Sequence, residues 1–144
     1  MALYDHKQSI LTLNGYEITA FSDGADALAI VHVADAGAYT IGATGKGVFV
    51  TSGNESGTLT IQLLQHSNDN LYLSVLRNQQ FNAMKSFTPI EMYFKDTLNG
   101  DEATGTRGFF TTPTGMSRGN AHNNTTWVIQ FEKLIIKNSA GVFN

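Results

Sequence analysis

Thr58-Leu59-Thr60-Ile61-Gln62-Leu63-Leu64-Gln65-His66-Ser67-Asn68-Asp69-Asn70-Leu71-Tyr72-Leu73 carries two periodicities in succession. Over 58–65, Leu59, Ile61 and Leu63 point one way and Thr58, Thr60 and Gln62 the other, the alternation of a half-buried strand. Ser67 then predicts an N-cap for a helix over 68–80, with Asp69 in the first turn where the helix dipole favours an acid. Leu71, Tyr72, Val75, Leu76 and Gln79 are expected to share the face that lies against a sheet.

Outward from this stretch the chain reads as strands joined by turns. A strand at 8–13 closes on the turn signal Asn14-Gly15, another is expected at 16–21, and Ser22-Asp23-Gly24-Ala25-Asp26 reads as a turn before an apolar strand at 28–33. Residues 89–95 alternate, with Ile90, Met92 and Phe94 inward, and Asn99-Gly100 marks a tight turn. A strand at 105–111 leads to a polar loop at 112–124. The longest strand, 126–137, turns Trp127, Ile129 and Phe131 to one face. Its phase slips at Lys133, and Leu134-Ile135-Ile136 is continuously apolar, which predicts a bulge or burial of both faces.

Residues 34–57 break the pattern with six glycines. Two short β-prone runs, 39–41 and 48–51, flank Gly42-Ala43-Thr44-Gly45-Lys46-Gly47 and predict a projecting hairpin or loop too thin to form core. The whole predicts a mainly β fold, a two-sheet β-sandwich or barrel, with one flanking α-helix and a projecting Gly-rich hairpin. No repeat or boundary divides the 144 residues, so 1–144 is expected to be a single domain.

Only 15% of residues are charged, against a usual ~25%. Thr, Asn, Ser, Gln and Gly take their place, a surface that neighbours can cover without desolvating charge. Nine Lys and Arg are scattered through a chain of net charge −3, so no basic cluster is available to neutralise a row of phosphates. Cysteine is absent, which removes disulfides, zinc thiolates and thiol nucleophiles. No run approaches the ~20 apolar residues of a membrane helix, and the N-terminus has no signal-peptide pattern, so a soluble cytoplasmic product is expected.

Catalytic signatures are equally thin. His6, His32, His66 and His122 have no ligand spacing. Around Gly45-Lys46 a phosphate-binding loop would need glycine where Thr40 stands and a hydroxyl where Gly47 stands. Asp101-Glu102 and Asp23/Asp26 fall in turns, where carboxylates serve local hydrogen bonds. No cofactor, metal or enzymatic activity is expected. A rival reading is a β-barrel binding module for oligosaccharide or single-stranded nucleic acid, which would range Phe49, Phe81, Phe87, Tyr93, Phe109 and Phe110 along a groove.

The run Gly45-Lys46-Gly47-Val48-Phe49-Val50 … Ser56-Gly57 and on through Leu73 resembles contractile-tail phage tail tube proteins. Their pattern S-x-x-N-x-x-L is matched by Ser67, Asn70 and Leu73. Gly15-Tyr16-Glu17-Ile18 … Phe21-Ser22-Asp23-Gly24-Ala25-Asp26 resembles that family's first hairpin, and Phe131-Glu132-Lys133-Leu134 its closing strand. The resemblance implies a non-enzymatic virion protein of the tail, assembled in the host bacterial cytoplasm as stacked hexameric rings. It implies sheath, tape measure, baseplate and tail terminator partners, DNA passing through without specific binding, and no membrane. The fold is similar to that of the hemolysin-coregulated protein of type VI secretion, so a secretion-system tube is an alternative use. Tyr39, Ile41, Lys46, Val48, Phe49 and Val50 are the expected contacts between subunits or rings. The segment 35–56 is expected to be mobile in a lone subunit and ordered on assembly, because its glycines make ordering entropically costly.

Overall fold

The computed structural model describes residues 9–22, 27–116, 119–121 and 123–140. Within them lie β1 (Ser9–Leu13), β2 (Tyr16–Ile18), β3 (Leu28–His32), β4 (Gly37–Ile41), β5 (Gly47–Thr51), β6 (Gly57–Leu63), α1 (Asn68–Asn82), a 3-10 turn (Met84–Ser86), β7 (Ile90–Asp96), β8 (Glu102–Thr112) and β9 (Thr125–Lys137). Seven strands form one sheet in the order β2-β1-β7-β8-β9-β6-β3, and β4-β5 form a second sheet of two. The large sheet curls into an incomplete barrel. Beyond β2 the chain meets the far side of the sheet, where Ser22 N donates to Gln62 O (2.9 Å) and Leu64 N to Ala20 O (2.8 Å).

The alternations in the sequence become the barrel interior. Leu13, Leu59, Ile61, Leu63, Ile90, Ile129 and Phe131 are fully buried, with Leu11, Met92 and Trp127 nearly so. Asn14 and Gly15 both take positive φ, 52° and 84°, as a two-residue hairpin between β1 and β2 requires. The expected turn at 22–26 falls mostly outside the described residues, as do Asp23, Asp26 and His122.

The slip in β9 is real. Phe131 and Leu134 are buried, with Glu132 and Lys133 exposed between them. β8 slips at the same level, where Gly105 and Gly108 face inward around exposed Thr106 and Arg107, and Arg107 has φ 56°. The β7–β8 register shifts at the same level. A bulge is therefore the explanation, since Ile135 and Ile136 remain 42% and 37% exposed. Phe131 fills the space: a Cβ on Gly105 would lie 2.7 Å from its Cγ. The strand expected at 105–111 extends back to Glu102, which pairs with Lys95 and Lys137 rather than lying in the turn.

α1 closes one end of the barrel, where β1 and β6 finish and β7 and β9 begin. Ser67 caps it, accepting from Asn70 N (3.3 Å). The buried face differs from the expected one. Leu73 is fully buried and Tyr72 and Leu76 pack on the core, but Leu71, Val75 and Gln79 face outward. Polar residues on the inner face do the anchoring, which apolar spacing cannot register. Asp69 accepts from Thr19 N (2.8 Å), Ala20 N (2.9 Å) and Tyr16 Oη (2.9 Å). Those bonds also turn the chain out of β2 after Ile18, short of the expected 16–21. Asn70 Nδ2 donates to Leu64 O (2.7 Å), while its Oδ1 accepts from Trp127 Nε1 (2.9 Å). Gln80 binds Phe110 O (3.0 Å) and Phe110 N (2.8 Å) with its amide. It acts there as one residue of the strand that β8 lacks beyond the start of β7.

Candidate functional site, a projecting hairpin

β4 and β5 pair only with each other, in the register Tyr39↔Phe49, Thr40↔Val48 and Ala38↔Val50. Gly42-Ala43-Thr44-Gly45-Lys46 makes the turn: Gly45 N donates to Gly42 O (3.0 Å) and Gly42 N to Lys46 O (2.8 Å), with Gly45 at φ 85°. The phosphate-loop near-miss is thus a hairpin turn, and it holds Lys46 at the tip.

Alternation along the strands puts Tyr39, Ile41 and Phe49 on one face and Thr40, Val48 and Val50 on the other. The Tyr39 and Phe49 rings lie 5.1 Å apart, tilted by 58°. Neither face is covered. Tyr39 is 71% exposed, Ile41 62%, Val48 64%, Phe49 50% and Val50 56%, against zero for the inward residues of β6. A lone two-stranded hairpin is marginal in water, and a hairpin apolar on both faces has little to hold it in isolation.

Its root, by contrast, is fixed. Val33 N donates to Ser56 O (3.1 Å), extending the β3–β6 ladder outward, and Ser52 N to Ala36 O (2.8 Å), extending the β4–β5 ladder back toward it. Asn54 Oδ1 accepts from Ser56 N (3.0 Å), and Leu134 N donates to Glu55 O (2.8 Å). Lys133 pairs with Glu55 at 3.6 Å, an exposed bridge of small energetic weight. The structure therefore brings all six sequence-designated residues together on one element that emerges from the barrel end opposite α1. Sequence reasoning missed a second uncovered apolar surface at the α1 end. Leu71 (66% exposed), Val75 (47%), Phe81 (85%) and Met84 (58%) lie there.

Among the described residues no three His, Cys, Asp or Glu side chains gather as metal ligands, and no helix is long and apolar enough to cross a membrane. Of the aromatics that a binding groove would need, Phe87 is buried and Phe109 and Phe110 pack against the core. Phe49, Phe81 and Tyr93 are exposed on β5, α1 and β7, three elements that form no common row. The phenol of Tyr16, stacked on Tyr72 at 4.0 Å, has its pKa raised by its hydrogen bond to Asp69, then by burial and the Asp69 charge. Burial raises that of Tyr72. These shifts belong to the helix anchor.

A family model described as the bacteriophage PhiTE tail tube protein matches residues 8–138. No curated protein matches in sequence. Among solved structures, the tube-terminating cap of the anti-feeding prophage is similar at TM-score 0.64 and 10% identity, over 96% of this chain and 93% of that one. The sheath/tube terminator of the extracellular contractile injection system PVC, in the extended state, gives 0.63 at 9% identity over 95% and 98%. The extended PVC sheath-tube complex gives 0.59 at 11% identity over 90% and 88%. At these identities the likeness is one of fold.

Proposed function

The chain belongs to the family of the bacteriophage PhiTE tail tube protein, and from that premise we propose that copies of it join into hexameric rings which stack through the β4–β5 hairpin. It is a structural subunit of the tail tube, a component of the virion tail. In the proposed assembly the stacked rings form the conduit for genome delivery and the subunit performs no catalysis. A surrounding sheath and a terminator at the tube's end are the proposed partners, by analogy with the injection-system assemblies of similar fold. Tape measure and baseplate proteins would meet the same tube, and assembly would take place in the host cytoplasm.

The observation that carries the stacking role is the hairpin, with five large apolar side chains at least half exposed on two faces. Covering them removes apolar surface from water at about 25 cal/mol per Å², without desolvating any charge except at Lys46. DNA would pass without being held, since a net charge of −3 offers phosphates no attractive track.

Negative-stain electron microscopy of the purified chain, with light scattering across micromolar to millimolar concentrations, tests this. Tubes or six-membered rings are expected. Phe49→Asp should keep the circular dichroism spectrum of the parent chain but form no tubes. A chain that stays monomeric throughout, or Phe49→Asp tubes like the parent's, would defeat the proposal.

A further inference from the structure

The hairpin and α1 stand at opposite ends of the subunit, and that polarity identifies what the hairpin docks on. β6 connects the two ends. It begins at Gly57, beside the hairpin root, and ends at Leu63, four residues before the helix cap Ser67. A seven-residue strand spans about 20 Å. Every anchor of α1 lies at the far end of the barrel: Leu13 O, Thr19 N, Ala20 N, Leu64 O, Trp127 Nε1 and Phe110.

We infer that the outward face of α1 and the 3-10 turn after it, with Leu71, Val75, Phe81 and Met84, is the seat for the β4–β5 hairpin of a second copy in the adjacent ring. The inference rests on the stacked-ring reading and adds the receiving surface to it. A contact that repeats along a tube is heterologous, so its two halves must be different patches on opposed ends of one molecule. The hairpin tip and the helix face meet that condition.

Their chemistry matches as well. The exposed positions of α1 are Asn68, Leu71, Val75, Asn78, Gln79, Phe81 and Asn82, none of them charged; Arg77 is half-buried, and Lys85 is the single exposed charge of the turn that follows. Tyr39, Ile41 and Phe49 present an uncharged apolar face in return. The outer face of β7, β8 and late β9 is a poorer cover. It carries Glu91, Lys95, Glu102, Arg107, Glu132 and Lys133, and an apolar hairpin laid there would strip water from charges it cannot pair. A hairpin lodged against a helix face through Tyr39, Ile41 and Phe49 also leaves its second apolar side, Val48 and Val50, free for a neighbouring seat, so one hairpin can bridge two helices of a ring.

The chain has no cysteine, so single introduced thiols are unambiguous. Phe49→Cys chains and Val75→Cys chains are assembled as a mixture and treated with a short bis-maleimide. A covalent dimer is expected in the tube fraction, several-fold above either variant alone and absent from dilute monomer. Val75→Lys is expected to keep the parent's circular dichroism and to lose tube growth. Tubes that give no dimer above the single-variant controls, or normal tubes from Val75→Lys, would overturn the seat while leaving hairpin stacking intact. Normal tubes from Val75→Lys that fail only to bind purified sheath protein would reassign the face to the sheath. No tubes from the unmodified chain would defeat the stacked-ring reading, and this inference with it.

Discussion

Asn70→Ala should be far more damaging than a solvent-facing asparagine in a first helical turn suggests. Its side chain makes two bonds that tie α1 to the barrel end, to Leu64 O at 2.7 Å and from Trp127 Nε1 at 2.9 Å. The two partners left behind are unequal. Leu64 is 43% exposed, so its carbonyl can find water and little more than the net bond, about 1 kcal/mol, is lost. Trp127 is 4% exposed, and an indole N–H stranded there costs about 1–3 kcal/mol. Together the substitution should destabilise the subunit by about 2–4 kcal/mol, a large part of the 5–15 kcal/mol typical of a domain. Asn70→Asp should cost less, because it keeps an acceptor for Trp127 and adds a negative charge near the helix N-terminus. Urea unfolding followed by the fluorescence of Trp127, the chain's single tryptophan, measures both. An Asn70→Ala midpoint equivalent to under 0.5 kcal/mol of destabilisation, or an Asp variant less stable than the Ala variant, would refute this account of the anchor.

Leu73→Ala should cost about 2–5 kcal/mol as a buried large-to-small change, while Leu71→Ala stays within about 0.5 kcal/mol; the same urea titration reverses the order if α1 is rotated. Gly105→Ala should cost about 1–3 kcal/mol through overpacking against Phe131, and a double-mutant cycle with Phe131→Leu should recover part of it. Alkaline pH should loosen the helix anchor. The raised pKa values of Tyr16 and Tyr72 mean that the stabilisation is fully present below the ordinary tyrosine value of about 10 and is lost as pH rises from there through the folded values. Tyr16→Phe should flatten that loss, seen as a smaller drop in the urea midpoint between pH 9 and pH 11, about one unit either side of the reference value.

Much of the fold was legible because its period-2 runs are long and one-sided. The stretches now in β6, β7 and β9 each turn three or more apolar residues inward, and no helical face fits them. The slip at Lys133 was legible too, but not its cause, which lies across the sheet in Gly105, Arg107 and Gly108. The helix face was misread for a physical reason. Asp69, Asn70 and Gln80 face inward because each satisfies backbone or indole groups at strand ends, so the apolar count tilted toward Leu71 and Val75. The pattern Ser67–Asn70–Leu73 did mark the true face, as cap, anchor and core residue in turn.

The hairpin was legible for the opposite reason, that it has no one-sided pattern. Apolar residues on both faces of a short strand pair belong in a fully buried sheet centre or under a neighbour. Glycines at 37, 42, 45 and 47 rule out the first, since they leave too few side chains to build a centre. What a linear reading could not supply was direction. Only the structure shows that the segment leaves the barrel at the start of β6 while α1 seals its end. In the proposed stacking, Leu71 and Val75, which the sequence pattern assigned to the core face and the structure leaves exposed, are the seat for the hairpin of the adjacent ring. An element whose apolar groups exceed what its own subunit can bury is thus matched, at the opposite pole, by a helix with apolar groups its own core does not use.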